Sequence, residues 1–450
     1  MKINSTLTPR ALEKKVHRVF EASAVKIRSL ESSWNPEKGS PVFTINGKYT
    51  SRGWTEWTQG FQFGAAILQF DATGENSFLD AGLKQTVEFM APHVSHVGVH
   101  DHGFNNVSTY GNLLRLMSEG RIAANVWEKH FYEMSLKVSG AVQAARWSRT
   151  SDGGGYIYSF NGPHSLFVDT IRSLRALAVS HRLGHVLMGE NDRKISLLGR
   201  LADHARATAK YAVYYGEGRD HYDVRGRTAH ESVFNVNDGN YRCPNSQQGY
   251  SPFSTWTRGL AWAMCGFAEQ LEFLDTLKDA ELEAFGGKAA LQAVMRKAAE
   301  ATCDFYIANT PLDGIPYWDT GAPGLAKMDG WVTRVSDPFN PHEPVDSSAA
   351  AIGAQGLLRL GRFLKNDMYW HAGLTVCDSL FAEPYLSMDP NHQGLILHSV
   401  YHRPNGWDRM PDNDGVPRSE SCMWGDYHAR EAALYVLRLI ENKPYLTFWS

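Results

Sequence analysis

Helical periodicity runs through nearly the whole chain, and the joins between helices alternate between tight and long. No other feature of these 450 residues restricts the fold as much. Apolar residues recur at intervals of three and four in about twelve segments, near 8–31, 57–71, 77–92, 104–119, 124–147, 166–183, 191–216, 254–274, 279–309, 346–364, 367–385 and 425–441. The joins near 72–76, 184–190, 275–278 and 365–366 are short, whereas those at 94–103, 148–165, 217–253, 310–345 and 386–424 are long and rich in Gly, Pro, His, Trp and Asp. Connections longer than about 12–15 residues in a compact domain are usually functional. Long loops at every second join collect on one end of a set of helix hairpins. About six hairpins predict an all-α fold, an (α/α)6 barrel with its site at the long-loop end. An open, two-lobed helical solenoid would leave the same pattern, because nothing in the sequence requires closure. Strand signals fall in the connections, where Tyr222–Arg227 and Ser232–Val236 read as a short hairpin. No Pro- or Ser-rich linker divides the chain, so 1–450 reads as one domain, with 1–50 as an N-terminal helix and lead-in loop.

Composition removes several classes of function. An apolar share of 43% and a charged share of 21% are those of a globular protein with ample core. A net charge of -3 without any basic run gives no footprint for nucleic acid. No apolar run approaches the ~20 residues that span a bilayer, and the start MKINSTLTPRALEKKV lacks the apolar stretch of an export signal. The expectation is therefore no membrane partner and a cytoplasmic location, or a periplasmic one if a signal has been removed. Cys243, Cys265, Cys303, Cys377 and Cys422 never form a CxxC pair, which predicts neither structural zinc nor a disulfide framework. Aromatic residues make up 12% of the chain, 13 of them Trp, which suits a carbohydrate-handling surface and equally a large helical core. Monomer and homodimer are both compatible with this reading.

The stretch QGYSPFSTWTRGLAW (248–262) places an amide, two tryptophans and an arginine at the threshold of a helix that Ser254 could cap. Arg258 and Trp262 lie four residues apart on one line, and Trp256, Ala263 and Phe267 read as a buried stripe. An arginine with flat aromatic neighbours suits a planar carboxylate carried on a ring, hence an acidic sugar.

Three acidic residues stand where chemistry could occur. Asp346, ahead of Ser347 and Ser348, reads as a helix N-cap. Asp101 lies in HVGVHDHGFNN, as a cap or as a reacting group. Asp169 lies among Phe167, Val168 and Ile171, so burial should raise its pKa, as a general acid requires; pairing with Arg172 or Arg175 is the structural alternative. His93, His96, His100 and His102 surround Asp101 without any helical HExxH spacing, so no metal is expected, and His100 suits a hydrogen bond to a substrate or to Asp101. His230, in RTAHES, is a further candidate. No dinucleotide or phosphate loop and no serine nucleophile elbow occurs, so no cofactor is expected.

Seven landmarks follow one another in the order of a known family: WTQGF (57–61), HDHGF (100–104), VDT (168–170), QGYSPFSTWTRGLAW (248–262), IPYWD (315–319), DSSAAAIGAQGLL (346–358) and WGDYHAREAAL (424–434). Through them, from Trp57 to Glu441, the chain resembles the unsaturated glucuronyl hydrolases of glycoside hydrolase family 88. The resemblance implies an (α/α)6 barrel acting on oligosaccharides that end in a 4,5-unsaturated uronic acid. It implies hydration of the C4=C5 vinyl ether, with Asp169 as general acid and base, Asp101 as the second essential carboxylate and His100 beside it. It also implies that Gln248, Trp256, Arg258 and Trp262 hold the sugar and its carboxylate, that His230 adds a contact and that Trp57 forms an aromatic wall. Trp256 then belongs to the sugar site rather than to the core.

The chain also departs from the pattern. Gln59 and Gln62 stand where the family has an acid and a tryptophan, His102 replaces an apolar residue, and SPF (251–253) lacks an acidic pair. Extra sequence occurs at 217–245 and 320–342. These differences bear on the leaving sugar, whose subsite Ser419 and Ser421 could line. Three alternatives share the helical pattern: an enzyme removing unsaturated galacturonyl groups from rhamnogalacturonan fragments, a sugar epimerase or isomerase, and a non-catalytic oligosaccharide binder. HDHGF and TRGLAW favour the glucuronyl reading, and the paired carboxylates count against the last two.

Overall fold

Among the described residues, six long helical runs form an inner ring and six more helices pack around them. The computed structural model describes residues 1–53, 56–408, 420–444 and 447–449. Its long helices are α1 (Glu13–Ser33), α2 (Gln59–Thr73), α3 (Asn76–Phe89), α4 (Asn112–Ser118), α5 (Val126–Ala145), α6 (Arg175–Arg182), α7 (Leu197–Tyr211), α8 (Thr257–Asp275), α9 (Lys288–Ala308), α10 (Ser347–Leu364), α11 (Asp367–Leu380) and α12 (Met423–Ile440). The inner helices are the even-numbered ones. Most of their residues are buried, and α8, α10 and α12 are buried over nearly their full lengths. The outer helices bury one face each: α3 buries Phe78, Gly82 and Thr86 and leaves its other side to solvent. Inner helix α12 packs on α10 and also on α2, which closes the ring. The solenoid alternative is thereby removed, and the architecture is the (α/α)6 barrel.

The inner helices approach closely where glycine permits it. A Cβ on Gly266 of α8 would stand 2.7 Å from the backbone nitrogen of Arg172, and one on Gly356 of α10 would stand 2.8 Å from the Cys265 nitrogen. Beneath the site, this tight ring encloses a buried ionic network. Glu431 of α12 receives Arg172 at 2.8 Å and Arg175 of α6 at 3.3 Å, and Arg359 of α10 pairs with Glu272 of α8 at 2.8 Å. The Arg172–Glu269 pair, 3.0 Å apart, links the two halves. Neither Arg172 nor Arg175 pairs with Asp169, so the structural alternative for that carboxylate does not hold.

Where the sequence pattern and the structure differ, the cause is long-range. The segment at 104–119 is broken into a short helix His102–Asn105, a wide π turn Val107–Gly111 and α4. The segment at 166–183 begins as a strand, β1 (Ser165–Phe167), and turns helical only at Thr170. Helix α8 begins at Thr257 with Trp256 in the cap position, while the Ser254 hydroxyl donates instead to the Ser251 carbonyl at 3.2 Å. The expected hairpin is also corrected. Tyr222–Arg227 forms turns, and β2 (Glu231–Phe234) pairs antiparallel with β3 (Tyr241–Asn245) on one side and with β1 on the other. Strand β1 ends at Phe167, two residues before Asp169, so the little sheet fixes where that carboxylate begins its helix.

Candidate active site

All six inner helical runs start at the end of the barrel that carries the long loops. Trp57 precedes α2, Asp101 precedes the His102 turn, Asp169 precedes the Thr170 turn and Trp256 precedes α8. Asp346 caps α10, its carboxylate accepting from the Ser348 and Ala349 backbone N–H groups. Trp424 lies in the first turn of α12 and stacks on Trp57, with centroids 5.1 Å apart. Between these starts lies a cavity of about 300 Å³. Its apolar walls are Trp57, Phe104, Phe160, Trp256, Trp262 and Trp407, and its polar groups include His100, Asp101, Asp169, Gln248 and Arg258. A larger hollow of about 750 Å³ lies between α7 and α9, but its charges neutralise one another in pairs such as Lys210–Asp152 (2.7 Å) and Lys297–Glu217 (2.6 Å).

Three titrating groups converge in the cavity floor. His100 Nε2 lies 3.4 Å from Asp169 Oδ1 and 3.6 Å from Asp101 Oδ1, near enough for charge attraction and too long for strong hydrogen bonds. Burial raises the pKa of Asp101 to about 6, opposed by His100 and reinforced by Asp169. Burial also acts on Asp169, yet His100, His230 and Arg258 outweigh it and hold this carboxyl below its ordinary value. His100 is pulled down by burial and pulled up further by the two carboxylates, so its pKa rises overall. The expectation that Asp169 itself carries the raised pKa is therefore corrected: in the free site the raised carboxyl is Asp101, because the imidazole sits nearer to Asp169.

The raised pKa of Asp101 has a consequence for stability. A carboxyl that titrates higher in the folded than in the unfolded chain favours folding while protonated and costs stability as pH rises from about 4 to about 6. Asp101→Asn removes that cost. Its melting temperature relative to the unaltered protein is therefore expected to climb between pH 4 and pH 7, as read by thermal denaturation across that range. A gap that stays flat with pH would show that Asp101 is not held in this way.

Arg258 is the most constrained side chain of the wall. Its guanidinium donates to Asp346 at 3.0 Å, to Gln248 Oε1 at 2.9 Å, to the Tyr401 carbonyl at 2.7 Å and to the Val400 carbonyl. It also lies over the Trp256 ring, 4.5 Å from its centroid. The fork is thus occupied by the protein, and Asp346 serves both as helix cap and as counter-ion.

His230 accepts at Nδ1 from the backbone N–H groups of Gln247 (3.0 Å) and Gln248 (3.3 Å), so its proton sits on Nε2. Burial depresses its pKa to about 3, and it packs on Phe167 and Trp256 just behind the cavity lining. Trp262 packs on Phe104, 4.7 Å between centroids, as part of the lining.

The remaining expectations fall away from the cavity. Ser421 is buried, donates to Asp426 at 2.8 Å and lines no part of the site, which corrects its assignment to a leaving-sugar subsite. Ser419 lies outside the described residues. His102 is pinned between Ser139 (2.9 Å) and the His96 carbonyl (2.8 Å), and Gln59 donates to Gln62 at 2.6 Å, so these departures serve local packing. Among the described residues, no group of three His, Cys, Asp or Glu side chains is arranged to hold a metal, and no helix is long and apolar enough to cross a membrane. Sequence reasoning missed Phe160, Gln247, Tyr401, His402 and Trp407, all of which line the cavity from long loops. The aromatic and histidine cluster YHRPNGW (401–407) was the available signal.

No family model matches the chain. Among curated proteins it is similar to the unsaturated glucuronyl hydrolase of Formosa agariphila, 26% identical over 381 residues, covering 84% of this chain and 79% of the relative. It is also similar to the unsaturated glucuronyl hydrolase of Bacillus sp. strain GL1, 25% identical over 409 residues, covering 87% and 89% of the two chains. Among solved structures, that of the unsaturated glucuronyl hydrolase from Bacillus sp. GL1 superposes with a TM-score of 0.70 at 20% identity, covering 96% of this chain and 98% of the other. An unsaturated glucuronyl hydrolase specific for heparin superposes with a TM-score of 0.72 at 18% identity over 96% and 98% of the two chains.

Proposed function

We infer that this chain belongs with the unsaturated glucuronyl hydrolases and removes the 4,5-unsaturated uronic acid from the non-reducing end of oligosaccharides left by polysaccharide lyases. The observation that carries the reading is the Asp101–His100–Asp169 cluster at the floor of an aromatic cavity with Arg258 in its wall. A vinyl ether needs a proton at C4 and a water at C5. The three-group cluster holds one mobile proton beside a carboxylate, which is what such an addition uses.

In this reading the mobile proton belongs to the cluster of His100, whose pKa the two carboxylates raise, Asp101, raised by burial to about 6, and Asp169, held low by His100. As the anionic sugar binds, Asp169 takes a proton from His100 across their 3.4 Å contact. Asp169 then delivers it to C4, forming the C4–H bond as the double bond opens. Ionised Asp101 stabilises the positive charge that develops at C5. Water adds there and returns its second proton to Asp169. The resulting hemiketal opens, and the rest of the oligosaccharide leaves. The anomeric carbon is not attacked, so the separation of the carboxylates carries no stereochemical meaning of the usual glycosidase kind. Trp57, Trp256 and Trp262 bracket the sugar ring. Gln248, with its carbonyl oxygen bonded to Arg258, keeps its amide N–H groups for the sugar, and His230 positions it from behind by accepting from the Gln247 and Gln248 backbone.

The test follows the ultraviolet absorbance of the conjugated ene-acid in unsaturated disaccharides from chondroitin, hyaluronan, heparin, gellan and ulvan. Absorbance should fall with at least one of them. Measurable sugar binding with no absorbance change on any substrate would replace this reading with a non-catalytic binder.

A further inference from the structure

Beside the cavity, on the same end of the barrel, lies a second groove of about 470 Å³ that the reaction does not use. Its position follows from the topology. Helix α8 starts at the cavity end and α9 runs back toward it, so the last turn of α9, which holds Phe305, and Asn309 just beyond it reach the rim where the groove is found. The groove shares a loop with the cavity. Gln248 and Trp256 line the cavity, and Tyr250 and Phe253, between them in sequence, line the groove. At ~3.5 Å per extended residue, Tyr250 cannot lie more than about 7 Å from Gln248, nor Phe253 more than about 11 Å from Trp256.

The groove is aromatic where a surface is ordinarily polar. Tyr222 is 56% exposed, Tyr250 51% and Phe253 43%, and Val224 adds a further exposed apolar side chain. The Tyr222 and Phe253 rings lie 5.1 Å apart at an interplanar angle of 33°, making one broad platform from two separate loops. Arg227 binds those loops together. It donates to the Phe253 carbonyl at 3.3 Å and to Asp220 at 2.7 Å, and its buried Nε–H finds no hydrogen-bond partner among the described residues. The platform is therefore ordered before any ligand arrives. Tyr222, Val224 and Arg227 belong to the extra sequence at 217–245 that distinguishes this chain from the family pattern.

We propose that this groove is a remote saccharide subsite, on which a sugar ring of the leaving oligosaccharide stacks against Tyr222 and Phe253 while its unsaturated end occupies the cavity. A pyranose ring presents an apolar C–H face to an aromatic plane and hydroxyls at its edge, where Ser251, Asn309 and Thr320 supply polar partners. The proposal rests on the function inferred above. It makes the protein a better catalyst on fragments longer than a disaccharide.

The experiment compares unsaturated di-, tetra- and hexasaccharides from each lyase digest on the protein and on its Tyr222→Ala/Phe253→Ala variant. It also measures binding, by calorimetry, of saturated hexasaccharides of the same series, which cannot react. For the unaltered protein kcat/KM should rise with chain length. The variant should show an increase in KM of about tenfold on hexasaccharides, unchanged disaccharide kinetics and weakened binding of the saturated hexasaccharide. Equal kcat/KM at all lengths together with no loss of hexasaccharide binding in the variant would overturn the subsite. A loss that is equal on disaccharide and hexasaccharide would also overturn it, by showing a general structural effect. Absence of turnover on every disaccharide would instead sink the proposed reaction, and the binding measurement would still decide the subsite on its own.

Discussion

Asp169→Asn is expected to abolish turnover, lowering kcat by at least ~10²–10⁴, while substrate binding stays nearly unchanged. Asparagine keeps the shape of the side chain and its place one residue before the Thr170 turn, but it can neither accept the His100 proton nor give it to C4. Because the wall made by Arg258, Gln248 and the tryptophans is held by other elements, the sugar should still be bound. Single-turnover absorbance and quenching of tryptophan fluorescence separate the two quantities. A variant that keeps most of its rate would remove Asp169 from the role of acid, and the raised Asp101 carboxyl would be the residue to examine next.

Glu431→Gln should be the most damaging single change to stability, at about 3–5 kcal/mol. Glu431 is fully buried and receives two guanidinium groups, so the neutral amide leaves Arg172 and Arg175 charged, dehydrated and short of a counter-ion. Burial pushes the Glu431 carboxyl up, but Arg172 and Arg175 outweigh it and hold it well below its usual range, so its contribution is present above the unfolded pKa of about 4.3 and is lost only as pH falls through the lower folded value. The penalty should accordingly be constant from pH 5 to pH 8, as read from thermal melts at a fixed scan rate. The damage also reaches the site. Arg172 follows Asp169 by less than one helical turn, and Arg175 donates to the Gly103 carbonyl two residues after Asp101. A melting temperature equal to that of the unaltered protein would show that the ionic network is not what secures the inner ring.

The twelve helices were legible because each must bury an apolar face, and that face is written at intervals of three and four. Closure of the ring was not legible, since it depends on α12 meeting α2 across almost the whole chain. The same limit explains the breaks. Phe167 and Val168 have the composition of a helix core, yet pairing between Phe167 and Glu231 makes a strand of the first residues. At the site, Asp101, Asp169, Gln248 and Arg258 stood inside sequence landmarks, whereas His402 and Trp407 came from a loop of no fixed motif. The charge state of Asp169 was misjudged for a plain reason: its sequence neighbours are apolar, and the imidazole that keeps it ionised comes from His100 on another loop. Likewise the sequence made Arg258 a carboxylate ligand without showing that Asp346 already shares it.

The common starting end of the inner helices has one more consequence. Each helix start carries roughly half a positive unit charge from its aligned peptide dipoles, felt within about a turn. Four such starts, those of α2, α8, α10 and α12, open helices of 15 residues or more and surround one cavity in a chain whose net charge is -3. The attraction for an acidic sugar is therefore built partly into the backbone. It does not titrate, and no side-chain substitution removes it.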